Sequence, residues 1–217
     1  MFGDLSPLPR GPHSLSRPHV RARQRARLLA ALVDVVAERG YPKTTITEVV
    51  RQAGVSPNVF YEHFDGLEDC FVAAYDAYTD LLAERLVAAF LTESDWTQTI
   101  AEALDAYLGT LDEDRKMARV FVIEFDAVSP AARRKRHDVF VAFGNLLKQQ
   151  HERIRAHDPE LGPLPDSIWL GFVLAVRAVV YELLERPGKP VSLLSAGPDL
   201  VTWFLATIYG ASRADRR

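Results

Sequence analysis

The chain has 217 residues, of which 48% are hydrophobic and 25% are charged. This composition is typical of a globular protein with a substantial core, and it excludes a chain that is disordered throughout. The single cysteine, Cys70, excludes an intramolecular disulfide framework. The uncharged apolar runs Ile168–Val176 and Leu200–Ser212 are shorter than the roughly 18 residues of a membrane span. We therefore expect a soluble, cytoplasmic protein that makes no contact with a membrane.

The formal net charge of −3 is unevenly distributed. Residues 1–66 contain nine basic and six acidic residues, whereas residues 67–217 contain 17 basic and 23 acidic residues. Six arginines lie between Asp4 and Asp34 without an intervening acid: Arg10, Arg17, Arg21, Arg23, Arg25 and Arg27. A basic N-terminal unit on a larger acidic body suggests that the small unit binds a polyanion. The alternative is a solvated charged surface with no partner.

The N-terminal residues predict a flexible arm followed by a helix. Proline, glycine and serine recur in residues 1–17, which favours an irregular, flexible segment. From about Pro18 onward, leucine and valine recur at i, i+4 and i+7, the spacing of one helix face. Gly40 then supplies a residue that ends a helix at low cost.

Two short helices are predicted next, joined by a tight turn. Thr45 and Glu48 have the spacing of a capping box at the start of the second helix. Gly54 breaks this helix after about two turns, since glycine accepts turn dihedrals that a Cβ would resist. Ser56 can cap a third helix that carries Pro57 in its first turn. This arrangement predicts a helix-turn-helix.

The remaining chain predicts further helices and no strand. These helices are expected at about 67–91, 96–110, 115–127, 130–156, 166–186 and 199–212. No stretch alternates between apolar and polar residues in the manner of a half-buried strand. The predicted fold class is all-α, with an arm at 1–17, a helix-turn-helix domain at 18–65 and a larger helical domain at 66–217.

The predicted third helix has two distinct sides. Phe60 and Phe64 are expected to point inward, into the domain. A helix of this size fits the major groove of B-DNA, and a plain αα-corner is the alternative. The residues expected near or along its outer side are Ser56, Pro57, Asn58, Val59, Tyr61 and His63.

Residues 31–71 resemble the N-terminal DNA-binding region of TetR-family (tetracycline-repressor-like) transcription regulators. The motifs that carry the resemblance are Gly40-Tyr41, Thr44-Thr45, Ala53-Gly54-Val55-Ser56 and Phe60-Tyr61-Glu62-His63-Phe64. In that family, helices 1–3 bind DNA, helix 4 links, and helices 5–9 form a ligand pocket and a dimer interface. The family often has a lysine that contacts phosphate at the position of Leu67, which cannot make that contact.

The resemblance implies roles for individual residues of this chain. Thr44 or Thr45, together with Tyr61 and His63, would contact DNA phosphates. Four residues would lie toward base edges: Ser56, Pro57, Asn58 and Val59. The arginines at the start of the first helix, Arg21, Arg23 and Arg25, are expected to approach phosphates or the adjacent minor groove.

Two helices of the C-terminal body are apolar around most of their circumference, at residues 168–184 and 200–209. Such helices must be covered on all sides. Pairing the helices at about 166–186 and 199–212 with their copies in a second chain gives a four-helix bundle, as in the family. The alternative is that both are central core helices of a monomer.

Candidate ligand-binding residues lie in the same body. Arg177 is one charge inside an apolar run, and Glu124 is one acid within Val120–Phe125. A buried charge must be paired, so Arg177 pairs with Glu124, lies at the dimer face, or contacts an anionic or hydrogen-bonding group of a ligand. Aromatic residues also suggest an apolar cavity. The candidates are Tyr107, Phe121, Glu124, Phe125, Phe143, Phe172 and Arg177.

These patterns together predict a homodimeric, ligand-responsive transcription regulator. It is expected to be a repressor that a small, largely apolar effector releases from an inverted-repeat operator in double-stranded DNA. No catalytic motif, metal site or cofactor site is predicted. The alternatives are a helical enzyme with an inert helix-turn-helix-like corner and a sequence-independent DNA-packaging protein.

Overall fold

The computed structural model describes residues 16–91, 95–158 and 161–214, together with Phe2; of residues 211–214 it describes only the backbone. All regular structure in these ranges is helical, which confirms the predicted all-α class. The predicted arm at 1–17 lies outside the described residues, apart from Phe2, Ser16 and Arg17.

Nine α-helices occur within the described ranges. They are α1 (Arg17–Arg39), α2 (Ile46–Ala53), α3 (Pro57–Tyr61), α4 (Leu67–Phe90), α5 (Trp96–Glu113), α6 (Arg115–Val122), α7 (Pro130–Arg155), α8 (Asp166–Glu185) and α9 (Gly197–Ala214). Short 3₁₀ turns cover Tyr41–Lys43, Glu124–Ala127 and Leu193–Ala196. The main difference from the predicted helices is that the one expected at 115–127 is α-helical only to Val122.

The described residues form two compact units. The N-terminal unit contains residues 16–81 and 119–133, and the C-terminal unit contains residues 82–118 and 134–214. The predicted DNA-binding domain, 18–65, lies inside the N-terminal unit. The first part of α4 and the end of α6 cluster with it.

The N-terminal unit is organised around α1. Its buried apolar face, which includes Leu28 and Leu32, packs against α2, where Val49, Val50 and Ala53 are buried. The 3.6-residue period of these side chains places them on one stripe of each helix, so the two helices bury their stripes against each other. This packing orients the shorter helix α3, which contacts α2.

The C-terminal unit has a core formed largely by α5, α8, α9 and the 3₁₀ turn at Leu193–Ala196. Fully enclosed side chains in this unit include Trp96, Ile100, Leu108, Leu111, Phe172, Leu193 and Ile208. By length and composition alone, α8 is the one described helix that could cross a membrane. This is weak evidence, because an apolar helix that packs in a soluble protein has the same composition.

Candidate nucleic-acid interface

The turn between α2 and α3 has the backbone conformation that the glycine at position 54 predicts. Gly54 follows α2 with φ 62° and ψ 41°, the left-handed conformation in which a Cβ is unfavourable. Ala53 is buried beside it. A guanidinium nitrogen of Arg27 lies only 2.7 Å from the place that a Cβ on Gly54 would occupy. The turn therefore favours glycine both by its dihedral angles and by its neighbour.

The predicted capping box at the start of α2 is present. The Thr45 hydroxyl accepts a hydrogen bond from the Glu48 N–H at 3.4 Å, and the Glu48 carboxylate accepts one from the Thr45 N–H at 3.1 Å. Glu48 also forms an ion pair with Arg39 of α1. The hydrogen bond from the Thr45 hydroxyl is the main reason that the pKa of Glu48 is lowered. The start of α2 is therefore held by its own cap and by α1.

Thr44 is placed differently from its expected phosphate-binding role. Its side chain is only 7% exposed, and its hydroxyl donates a 3.0 Å hydrogen bond to the Gly40 carbonyl. The hydroxyl therefore stabilises the connection between α1 and α2 and is not directed at a ligand. Of the two threonines, Thr45 is the exposed one.

The third helix exposes most of the residues expected at base edges. Ser56 caps it by accepting a 3.4 Å hydrogen bond from the Val59 N–H. Exposed positions are Ser56, Pro57 and Asn58, whereas Val59 is half-buried. Tyr61 is 59% exposed, so its hydroxyl is accessible for a phosphate contact.

The end of this helix is shorter than expected. Its α-helical part stops at Tyr61, and hydrogen-bonded turns continue to Phe64, whose N–H donates to the Phe60 carbonyl at 3.0 Å. Phe60 and Phe64 are nevertheless buried as predicted, with ring centroids 5.6 Å apart. The early end lets the chain bend at Asp65–Gly66 before α4 begins.

His63 is turned partly into the domain. Its Nε2 atom is enclosed and has no hydrogen-bond partner among the described residues. Burial lowers the pKa of His63, and the charges of Arg21 and Arg25 lower it further. The ring is therefore neutral near pH 7, and its Nε2 cannot serve the expected phosphate contact in this conformation.

Arginines of α1 contact other residues of the protein, which the sequence pattern does not predict. Arg21 donates a 2.9 Å hydrogen bond to the Glu62 carbonyl at the end of α3. Arg25 lies over the Phe64 ring at 5.2 Å from its centroid, a cation–π distance. Arg23 is half-buried. Two of the three arginines expected to contact phosphate, Arg21 and Arg25, thus also pack against α3 and the turns that follow it.

Two exposed residues near this surface were not among the predicted contacts. Lys43 lies in the turn just before α2, and Thr47 lies in the first turn of α2. Thr47 could have been found from the helix period, because it falls to one side of the buried stripe of Val49, Val50 and Ala53. Both can reach anions that approach the start of α2.

Three predicted ligand-binding residues belong to the N-terminal unit. Phe121 and Phe125 are buried in an aromatic cluster with Phe71 and Tyr75, whose ring centroids lie 4.5–5.6 Å from theirs. Glu124 accepts a 3.0 Å hydrogen bond from the Tyr41 N–H. These side chains have structural partners because α6 and the 3₁₀ turn after it pack against the start of α4 and the end of α1.

The other predicted ligand-binding residues lie in the C-terminal unit. Phe172 is buried and stacks on Phe204, and Phe143 is half-buried. Arg177 is half-buried over the Phe140 ring, 5.8 Å from its centroid. Burial raises the pKa of Tyr107 to about 12, against an opposing effect of the Arg177 charge. Tyr107 is therefore a neutral hydrogen-bonding group near a cation.

The sequence comparisons place the N-terminal helices in a known family. Residues 28–74 match the family described as bacterial regulatory proteins, tetR family. The HTH-type transcriptional activator FasR of Mycolicibacterium smegmatis is 29% identical over 109 residues, which are 50% of this chain and 49% of FasR. The fatty acid metabolism regulator protein of Bacillus subtilis is 22% identical over 120 residues, which are 55% of this chain and 62% of that protein. The chain thus spans about half the length of these relatives.

Solved structures show the same fold over a longer stretch. The fatty acid degradation regulator FadR from Bacillus halodurans has a TM-score of 0.76 at 18% identity, covering 84% of this chain and 94% of that chain. FadR from Bacillus subtilis, in complex with stearoyl-CoA, has a TM-score of 0.75 at 17% identity, covering 84% and 98%. The relatives are named as regulators, in agreement with the prediction that the chain is no enzyme. The N-terminal helices of this chain thus match the tetR family of bacterial regulatory proteins, and its fold is the one seen in these solved structures.

Proposed function

We propose that this protein is a homodimeric transcription regulator whose affinity for a DNA operator is lowered by a long-chain acyl-CoA. The observation that carries the proposal is the capped α2–turn–α3 unit, whose buried side is held by α1 and whose exposed side presents Ser56, Pro57, Asn58 and Tyr61. Where the operator overlaps a promoter, the bound protein acts as a repressor, and the effector relieves repression by releasing the protein from DNA.

The exposed side of α3 is suited to the major groove. A helix enters this groove with its N-terminal residues against base edges. The side chain of Asn58 can donate to and accept from a base edge, whereas the hydroxyl of Tyr61 suits a phosphate oxygen. The exposed Lys43 and the N-terminus of α2 would contact DNA phosphates and so position the protein on the duplex.

The dimer is proposed to form through α8 and α9. Exposed positions of α8 include Gly171, Leu174 and Ala178, which repeat at i, i+3 and i+7, the spacing of one helix face. Leu174 is 43% exposed and Trp203 of α9 is 44% exposed. Large apolar side chains beside small ones are typical of a face that packs against another helix. A two-fold arrangement would bury them and match an inverted-repeat operator.

The effector class follows from the relatives and from the composition of the C-terminal unit. One relative is named for fatty acid metabolism, and one structure of the same fold holds stearoyl-CoA. The C-terminal unit of this chain is rich in buried aromatic and aliphatic side chains, which suit an acyl chain. The effector needs only a different affinity for the DNA-bound and free states, typically a coupling of about 1–3 kcal/mol.

A binding experiment tests each part. The operator is first selected from random duplex DNA with the purified full chain, and binding is then measured by fluorescence anisotropy with and without stearoyl-CoA. We expect an inverted-repeat consensus, failure on an isolated half-site, and weaker binding when stearoyl-CoA is added but not when CoA alone is added. Absence of DNA binding would favour the helical enzyme, and equal affinity for all sequences would favour the packaging protein.

A further inference from the structure

Three aromatic rings of the C-terminal unit enclose a set of polar atoms that its core packing does not use. They belong to Trp96 at the start of α5, His151 near the end of α7 and Trp169 near the start of α8. The ring centroid of His151 lies 5.1 Å from that of Trp96 and 5.0 Å from that of Trp169. The three side chains are 0–3% exposed.

None of the four ring nitrogens of this cluster has a hydrogen-bond partner among the residues that the structure describes. These atoms are the indole Nε1 of Trp96 and of Trp169 and both imidazole nitrogens of His151. Buried polar atoms are nearly always paired, because an unpaired one forfeits its hydrogen bonds to water. At the place of His151, phenylalanine would fill the core without that loss.

The cluster offers mainly hydrogen-bond donors. Burial lowers the pKa of His151, an effect that the neighbouring Glu152 opposes and Arg155 reinforces. The ring is therefore neutral near pH 7, with one N–H and one acceptor nitrogen. With the two indoles, this makes three N–H donors and one acceptor within an apolar surrounding. An oxygen with two lone pairs on an otherwise apolar molecule complements such a set.

Two of the three helices that carry the cluster, α7 and α8, pack closely against each other. A Cβ on Gly144 of α7 would lie 3.2 Å from backbone atoms of Trp169 and Leu170, so the two helices are in close contact there. Lys148 of α7 pairs with Asp166 of α8 at 2.7 Å. Arg153 of α7 donates a 2.7 Å hydrogen bond to the Phe90 carbonyl at the end of α4. A site built on such rigid elements positions its polar groups accurately.

We propose that Trp96, His151 and Trp169 bind the acyl carbonyl oxygen of a fatty acyl effector. The inference rests on the proposed function, since it names the atoms that recognise its effector. The indole and imidazole N–H groups donate to this oxygen, and the apolar surroundings take the adjoining methylene groups. The same chemistry occurs in an acyl-CoA thioester and in a free fatty acid, so the two sources are separated by experiment.

The test compares ligands that differ in this oxygen. Isothermal titration of the full chain measures the affinity for stearoyl-CoA, for S-octadecyl-CoA, a thioether without the carbonyl oxygen, and for stearate. We expect the wild type to prefer stearoyl-CoA to the thioether by on the order of tenfold. His151→Phe, which keeps a ring and removes both nitrogens, should abolish the preference. His137→Phe, at an exposed position of the same helix, should retain it.

Stability separates a binding role from a structural one. Because His151→Phe removes two unpaired buried nitrogens, its melting temperature without ligand should equal or exceed that of the wild type. If this variant fails to fold, Trp169→Phe takes its place; it removes the indole N–H, keeps an aromatic ring at the position and should reduce the preference. Stearate binding that depends on His151 while stearoyl-CoA binding does not would assign the site to the free acid.

Two results would overturn the inference. One is an equal affinity of the wild type for stearoyl-CoA and its thioether. The other is a preference that survives both His151→Phe and Trp169→Phe. If stearoyl-CoA still releases the operator in either case, the proposed function stands and only this site is wrong. If no acyl ligand binds the wild type, both the site and the proposed effector are wrong.

Discussion

The guanidinium of Arg21 donates a 2.9 Å hydrogen bond to the carbonyl oxygen of Glu62, 41 positions along the chain. Glu62 is the C-cap residue that directly follows α3. The last carbonyls of a helix have no partner within the helix, and a cation placed there is favourable. Arg21 of α1 thereby positions the C-terminal end of α3, the candidate DNA-recognition helix, in addition to any contact that it makes with DNA.

Substitution of Arg21 should therefore affect folding as well as binding. Arg21→Ala should lower the free energy of unfolding by about 0.5–1 kcal/mol, since the hydrogen bond is exposed. It should also weaken operator binding. Arg17→Ala, at an exposed position four residues earlier, should leave the unfolding free energy unchanged. Urea denaturation measures this difference, and equal stability of the two variants would show that Arg21 acts only on DNA.

Asn58 and Tyr61 should contribute to DNA binding in different ways. Tyr61→Phe removes one hydroxyl from an exposed ring and should weaken binding to all sequences about equally, because a phosphate contact carries no sequence information. Asn58→Ala should change the preferred bases, because an amide can read a base edge. Binding selections on both variants measure this. A changed consensus for Tyr61→Phe together with an unchanged one for Asn58→Ala would reverse the two roles.

A side chain at Gly54, in the turn between α2 and α3, should destabilise the fold. Gly54→Ala places a Cβ at φ 62° and should lower the free energy of unfolding by about 1–2 kcal/mol. The nearby guanidinium of Arg27 is the end of a flexible side chain and can move away, so the backbone conformation dominates. Gly66→Ala is the matched control, because nothing lies within 4 Å of its Cβ and its φ is not positive. Thermal unfolding of the two variants should differ clearly.

Stability should fall as the pH is lowered from 7.5 to 5. Burial lowers the pKa of His63 and of His151 below the value of 6.5 that each has when unfolded. At a pH between the pKa of the folded state and that of the unfolded state, the unfolded state binds more protons, so acid favours unfolding. The loss of stability continues until the pH falls below the pKa of the folded state. Urea denaturation across this range should show a smaller loss for His151→Phe than for the wild type. An identical pH dependence of the two would contradict the lowered pKa.

The predicted N-terminal arm, which lies outside the described residues, should raise DNA affinity without stabilising the fold. Deletion of residues 1–16 removes Arg10 together with the rest of the predicted arm. The slope of log K against log salt should therefore fall by at most about one or two units per dimer. The melting temperature should change little. A large drop in melting temperature with an unchanged slope would identify the arm as a packed segment.

Local chemistry was sufficient to predict the helices and the turn that carries the site. The capping box of Thr45 and Glu48, the left-handed Gly54 and the cap at Ser56 are each decided by residues within four positions of one another. The apolar stripes of α1 and α2 were visible for the same reason, because helix periodicity repeats over a few residues. The approximate positions of the helices and the family resemblance followed from these short-range patterns.

The placement of single side chains was decided only by tertiary packing. Sequence spacing could not show that Thr44 turns inward to Gly40, that Arg21 reaches Glu62, or that Glu124 bonds to Tyr41. Nor could it show that the rings of Trp96 and Trp169, from two other helices, converge on His151. Each of these contacts depends on which face of one helix meets which face of another, and that choice minimises exposed apolar surface over a whole unit. Short-range patterns therefore identify a helix and its buried stripe, whereas the partners of that stripe emerge only when the helices pack.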